Sequence, residues 1–263
     1  MPNAGDIVVV LTSSALVIAA VMAFVLLRVR RTGRVDVIDT VWGGTFAAIA
    51  TVGLGVTWQS DDNALRLLLT VLTVVWGVRL ALHIGLRNRG AQEDKRYAEL
   101  FDRHDGPRIR VAAAWVCLPQ AAGLWFISLP VQLAQTSTAS PDIFAAAGVA
   151  VWLVGMAFET GGDFQLERFR ADPANRGRVL DTGFWRYTRH PNYFGDACVW
   201  WGLYLVACTS SIAAFAVTSP IAMTWLLVRG TGKPLMERHL ADRPDYAEYV
   251  RRTSGFLPLP RRQ

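Results

Sequence analysis

Long apolar runs, separated by short segments that carry nearly all the Lys and Arg, constrain this chain more than any other feature. The runs lie at roughly 7–27, 36–58, 64–86, 111–134, 142–165, 194–208 and 211–228. Crossing a bilayer as a helix takes ~20 residues, and most of these runs are that long. A segment in lipid must satisfy its own backbone groups, and runs without alternation do so as helices. The expected fold is all-α: a seven-helix membrane bundle forming one domain over 1–263. Its last two spans are short or tilted and are joined at Thr209-Ser210.

Charge placement supports an odd number of spans. Of the 27 Lys and Arg, all but Arg66 and Arg79 fall in four segments, 28–34, 87–110, 167–190 and 229–263. Segments 1–6, 59–63, 135–141 and 209–210 have none. Seven spans put every basic segment on one side, and the positive-inside rule then predicts an external N-terminus and a cytoplasmic C-terminus. The net charge of +6 thus reflects topology and not a nucleic-acid footprint. Residues 1–6 carry Asp6 and no basic residue, so the first run reads as an uncleaved span. Cys117, Cys198 and Cys208 sit in apolar runs at no metal-ligand spacing and read as small buried hydrophobes. No G-x-G-x-x-G, P-loop, H-E-x-x-H or G-x-S-x-G motif is present, and Gly53-Leu-Gly55 lies inside a span. Any cofactor must therefore be held by the bundle and its basic-side loops.

Polar groups at span ends are costly in lipid and mark candidate sites. In the stretch 159–170, Glu159 and Asp163 are four residues apart on one helical face, and Arg170 joins them if the helix continues. Gly161-Gly162 admits a close neighbour or bends the helix. In 181–196, Asp181-Thr-Gly predicts a turn and Pro191 opens the sixth span. Asn192, Asp196 and Trp200 then share a face. Arg186, Arg189 and His190 precede a helix N-terminus, a ready anion site. In the loop Arg87–Tyr97, Glu93 and Tyr97 read as four apart on a short helix, with a salt-bridged solvated face as the plainer reading. Asp39 lies about one turn inside the second span. Its apolar surroundings favour a neutral carboxyl able to donate a proton or hydrogen bond to a substrate oxygen. Arg79 and His83 add polar groups to the third span. In the tail, Arg229, Lys233 and Arg238 are further phosphate ligands to consider.

Several of these motifs together resemble the steroid 5-alpha-reductase family. They are Asp163-x-x-Leu-x-x-x-Arg170, Arg178, Asp181-Thr-Gly-x-Trp-x-Tyr, Arg189-His190-Pro-Asn192-Tyr193-x-Gly-Asp196 and Tyr246-x-x-Tyr249. Glu93-Asp-x-Arg-Tyr97 and Asp39-x-x-Trp-Gly bring the chain closer to the family's bacterial, largely uncharacterised branch. The resemblance runs from about Arg34 to Pro258. It implies a seven-span reductase of the bacterial inner membrane that uses NADPH and reduces a C=C bond, usually conjugated to a carbonyl, in a steroid-like or other lipid substrate. By position, Asp163, Arg170, Arg178, Asn192, Tyr193 and Asp196 would line the cofactor site, and Glu159 joins them as the residue that shares a helical face with Asp163. Arg189 and His190 would sit beside the phosphates, and Arg229, Lys233, Glu237 and Tyr249 would close it. The family's Glu and Tyr that hold the substrate oxygen are not matched: Asp39 stands near the Glu position, and His83-Ile84 replaces His-Tyr. Asp39, His83, Tyr97 and Glu93 are the catalytic candidates. Isoprenylcysteine carboxyl methyltransferase-like enzymes share the Arg-His-Pro-x-Tyr-x-Gly signature and use S-adenosylmethionine. They lack the Asp163–Arg170 and Glu93–Tyr97 motifs and carry a Glu-Glu pair where this chain has Glu237-Arg238. A transporter or scaffold predicts polar residues around a midplane site; here they gather at the basic ends.

Overall fold

The computed structural model describes residues 3–58, 63–90, 92–230, 232–233, 237 and 244–262. Among them the regular structure is helical, with no strand and one isolated parallel bridge, Thr188 to Ser254. The helices are α1 (Ala4–Thr32), α2 (Val37–Val56), α3 (Ala64–Arg87), α4 (Lys95–Asp102), α5 (Arg108–Val111), α6 (Leu118–Ile127), α7 (Leu129–Ala134), α8 (Ile143–Ala171), α9 (Pro191–Ala207), α10 (Thr218–Val228) and α11 (Pro244–Arg252). Five are long and apolar enough to cross a membrane: α1, α2, α3, the continuous run Arg108–Ile127, and α8. The chain folds into two compact units, residues 1–145 with 206–219 and residues 146–205 with 220–263.

The helices bury one stripe and expose an apolar one, as a lipid environment requires. On α3, Leu65, Leu69, Leu72 and Trp76 are buried, at the 3–4 spacing of a helical face. Leu67, Val71, Val75, Val78, Leu82 and Leu86 form an exposed stripe of the same periodicity. Contiguous exposed apolar surface on this scale is uncommon on a protein bathed in water.

In the first unit, α2 and α3 pack as an antiparallel pair whose backbones touch at Gly43 and Gly77. A Cβ on Gly43 would stand 2.5 Å from the Gly77 carbonyl oxygen, the small-residue packing that membrane helices use. Arg66, one of the two cations outside the basic segments, is fully buried at the start of α3. Its Nε donates to Ser137 O at 2.8 Å and its Nη1 donates to Thr57 O, which ties the end of α2 to the segment after α7. Gln135 Nε2 donates to Thr70 Oγ1 at 2.9 Å in the same buried layer.

The run expected at 111–134 is interrupted twice, and proline is the cause both times. Residues Ala112–Cys117 form a π-helix, with Leu118 N–H donating to Ala113 O five residues back. Pro119 has no N–H for Trp115 O, and the wider turn accommodates that gap. Pro130 likewise cannot continue α6 onto Phe126 O. The helix stops at Ile127, where Ser128 Oγ bonds back to Leu124 O at 2.7 Å, and α7 starts afresh.

In the second unit, α8 continues to Ala171, six residues past its expected end. Asp163 and Arg170 therefore do lie on one helix, seven residues apart. It packs antiparallel to α9 through glycines: a Cβ on Gly155 would lie 2.6 Å from both Gly195 O and Val199 N, and one on Gly202 would lie 2.7 Å from Gly148 O and Trp152 N. The last two expected spans appear as the 17-residue α9 and as a short apolar stretch, Ala213–Val228, made of a 3-10 turn running into α10.

Candidate functional site

The glycine contact between α8 and α9 sets a register that brings polar side chains together at one end of the pair. Gly195 lies against Glu159, and one turn on, Asn192 Nδ2 donates to Asp163 Oδ1 at 3.2 Å. Glu159 and Asp163 are both buried, and Asn192 and Asp196 are half-buried, one turn apart on α9. Asn192 Oδ1 accepts from Tyr193 N at 3.0 Å and so caps one of the N–H groups that a helix start leaves without partners. Tyr193 and His190 stack face to face, with ring centroids 5.2 Å apart and 4° between planes. Two carboxylates, a third one turn away, an amide and a stacked imidazole–phenol pair thus occupy two helical turns.

What approaches Gly161-Gly162 closely is the chain itself. A Cβ on Gly162 would lie 3.0 Å from Pro191 Cγ, and Trp185 Nε1 donates to Gly162 O at 3.0 Å. Gln165 Oε1 accepts from Phe184 N at 2.9 Å. The expected turn at Asp181-Thr-Gly is present as a 3-10 turn, Gly183–Arg186, that starts from Gly183 at φ 59°, a conformation that favours glycine.

The tail then clasps this segment from its other side. Arg189 Nε and Nη2 donate to Glu237 Oε1 at 2.9 and 2.8 Å, and its Nη1 donates to Thr253 O at 2.6 Å and Val250 O at 3.2 Å. The sequence places Arg189 beside phosphates; the structure commits its guanidinium to this clasp. Thr188 Oγ1 donates to Phe256 O, Tyr249 Oη to Trp185 O, and Arg261 Nη2 to the Asp181 carboxylate at 2.6 Å. Lys233 reaches the same place: a Cβ on Gly255 would lie 2.7 Å from its Nζ and 3.1 Å from Arg189 Nη2. Tyr249 and Glu237 are therefore parts of the clasp. Thr253 and Arg261 join it without having been site candidates in the sequence, and neither was Gln165, which holds the segment from α8. The polar type of Gln165 inside 159–170 was a signal, and Arg261 gave none. Arg170, Arg178, Arg186 and Arg229 are exposed, and Arg238 lies outside the described residues.

The clasp is sensitive to acid. Burial works to raise the Glu237 carboxyl, but hydrogen bonds from His190 and Arg189 and the charges of Arg189 and Lys233 bring it down to about 2. Burial lowers His190 below its ordinary 6.5, and contact with Glu237 offsets this only in part. Both folded-state values lie below the unfolded ones. The stability they contribute is thus present above 6.5 and 4.5 respectively and is lost as pH falls. Amide protection over 245–256, the observed exchange rate corrected for the intrinsic rate at each pH, should fall below pH 6.5 and again below 4.5, and Glu237→Gln should remove the second step. Unchanged protection between pH 7 and about 2 would contradict the clasp.

The first unit carries its own cluster, at the start of α2. Asp39 Oδ1 accepts from Tyr97 Oη at 2.7 Å and its Oδ2 from Arg96 Nη2 at 3.0 Å. Arg96 also forks onto Asp94, which caps α4 by accepting from Arg96 N. Because the helix starts only at Lys95, Glu93 precedes it and does not share a helical face with Tyr97. Glu93 instead accepts from Val35 N at 3.1 Å and from Arg108 Nη2 at 2.6 Å. It holds the entry to α2 in place. The loop is salt-bridged, as its charge pattern suggests, but the bridges point inward to Asp39 and Val35. Tyr97 is buried, and burial, together with the Asp39 charge, holds its hydroxyl protonated far above the ordinary tyrosine range. Toward Tyr97 and Arg96, Asp39 is an acceptor, which leaves Tyr97 as the member of the pair that carries a proton. His83 is half-buried on α3, two residues from Gly85, where a Cβ would meet Thr40 of α2 at 3.1 Å.

One protein-family model, described as protein of unknown function (DUF1295), matches residues 14–253. No curated protein and no solved structure matches the chain.

Proposed function

The chain belongs to the DUF1295 family, and for it we propose NADPH-dependent reduction of a C=C bond, conjugated to a carbonyl, in a lipid-soluble substrate. The observation that carries this reading is the Asp163–Asn192 contact: a buried carboxylate and a half-buried amide at the end of an apolar helix pair, in a unit that also carries exposed arginines. That combination suits a molecule with a charged, phosphate-bearing part and a neutral ring that must enter hydrocarbon.

The residues fit such a cofactor. Exposed Arg170, Arg178 and Arg229, with Lys233, would hold phosphate oxygens, guanidinium being suited to paired hydrogen bonds with phosphate. Asp163, Asn192, Asp196 and Glu159 would orient the polar edge of the inserted ring, and His190 stacked on Tyr193 would form a wall. Arg189, Glu237 and Tyr249 would keep that wall closed from the tail. When bound, NADPH supplies a hydride to the β carbon of the enone. Tyr97, oriented by Asp39 and Arg96, is the proton donor to the substrate that this reading assigns. Glu93 positions that group through Val35 and Arg108.

We further read α9 and the 213–228 stretch as the sixth and seventh spans, with the N-terminus outside. The basic ends, and with them the cofactor site, then face the cytoplasm across a bacterial inner membrane. The bilayer tolerates helices of this length by thinning or tilt. Thermal unfolding in detergent tests the function. NADPH at saturation should raise the midpoint, with NADH weaker and S-adenosylmethionine without effect. A shift with S-adenosylmethionine alone would replace the reductase with a methyltransferase.

A further inference from the structure

We propose that the first unit binds one anionic phospholipid, with an acyl chain lying along α1 and the phosphate at Arg30 and Arg108. A groove of about 360 Å³ runs between α1 and the Arg108–Ile127 helix. Its floor is cut by small side chains, Ala15 and Ala19 from one helix and Ala113 and Ala121 from the other. At its far end Trp125 Nε1 donates to Leu11 O at 3.4 Å and closes it. One turn beyond its other end, the same two helices part again around a hollow of about 410 Å³. That hollow is lined by Val29, Arg30 and Gly33 on one side and Pro107, Arg108 and Ile109 on the other.

The two hollows differ in chemistry in the way the two parts of a lipid do. The apolar groove extends from Ala15 to Leu26, roughly 16 Å of helix at ~1.5 Å per residue. That is close to one leaflet of a hydrocarbon core ~30 Å thick. Arg30 lies about 6 Å further along the same helix, at head-group depth. Its neighbours Arg31 and Arg110 are exposed and add positive charge at the mouth. The Arg108 guanidinium is fixed in place, bonded to Glu93 and lying over the Phe101 ring at 4.0 Å. Basic hollows between spans at the membrane surface select anionic head groups. The groove supplies the tail contact that a free phosphate would not use.

Native mass spectrometry of the detergent-purified full chain tests this, with phosphatidylglycerol and phosphatidylcholine offered in equal amounts and inorganic phosphate in a separate arm. We expect one phosphatidylglycerol retained per chain, at least tenfold over phosphatidylcholine. Arg30→Glu should abolish the preference, and Ala19→Phe, which fills the groove, should reduce retention of both lipids. Circular dichroism checks that each variant is folded; should Ala19→Phe not fold, Arg30→Glu decides. Equal retention of the two lipids, an unchanged preference in Arg30→Glu, or inorganic phosphate displacing the phospholipid would overturn the proposal. The outcome is independent of whether the chain binds NADPH.

Discussion

Asn192→Ala is expected to weaken NADPH binding by about 10- to 100-fold while leaving the protein folded. The side chain does two things at once: it donates to the buried Asp163 carboxylate and accepts from the backbone of the first turn of α9. A hydrogen bond to a charged group contributes about 1.5–3 kcal/mol, which corresponds to that range of affinity. Loss of the amide also leaves a carboxylate without that donor where the nicotinamide edge would be oriented. Titration of NADPH fluorescence reads the affinity, with the thermal midpoint of the unliganded variant as the check on folding. Binding at the wild-type level would remove this pair from the site. Tyr97→Phe should behave in the opposite way. It retains NADPH affinity and loses turnover on the order of 10²- to 10⁴-fold, because only a proton donor is deleted.

Gly155→Val should be among the most damaging single changes in the second unit. A first side-chain carbon there already falls 2.6 Å from two backbone atoms of α9, and backbone cannot move aside as a flexible side chain would. Overpacking of this kind costs about 1–3 kcal/mol. At ~2–4 °C per kcal/mol for a chain of this size, the expected fall is roughly 2–12 °C. NADPH affinity should fall with it, because the Glu159–Asp163 face is positioned by that contact. Gly123→Ala is the control, since a Cβ there meets nothing within 4 Å. Its midpoint should hold or rise slightly. Equal effects in the two variants would show that the helix contact is not as tight as described.

The parts of this molecule that were legible in its sequence are those governed by local periodicity. The apolar run at 64–86 that appears as α3, the start of α9 at Pro191 and the glycine turn at 183 follow from spacing and residue type alone. The polar set Asp163, Asn192 and Asp196 stood out because lipid makes such residues expensive. Less legible were functions fixed by distant partners. Arg189 looked like an anion ligand because it precedes a helix, and nothing local reveals that Val250 and Thr253 take its hydrogen bonds. Glu93 looked like a helical partner of Tyr97, but the cap at Asp94 sets the helix start at Lys95, two residues beyond Glu93. Arg66 was visible as a cation in the wrong place, but its reason, the carbonyls of Thr57 and Ser137, lies 9 and 71 residues away.

The clasp also fixes when this part of the molecule can mature. Segment 181–190 shares its tail hydrogen bonds with residues 47 to 80 positions further along the chain. During synthesis at about 5–20 residues per second, those partners do not exist until roughly 2–16 s after the segment itself is made. Through that interval α8 alone can hold one side of the segment, by Gln165 and Gly162. A ribosome stalled shortly after α10 would therefore present a chain whose Arg189 still lacked the carbonyls of Val250 and Thr253. Pairing of α8 with α9 and closure of the clasp are separable in time, and the second is the later one.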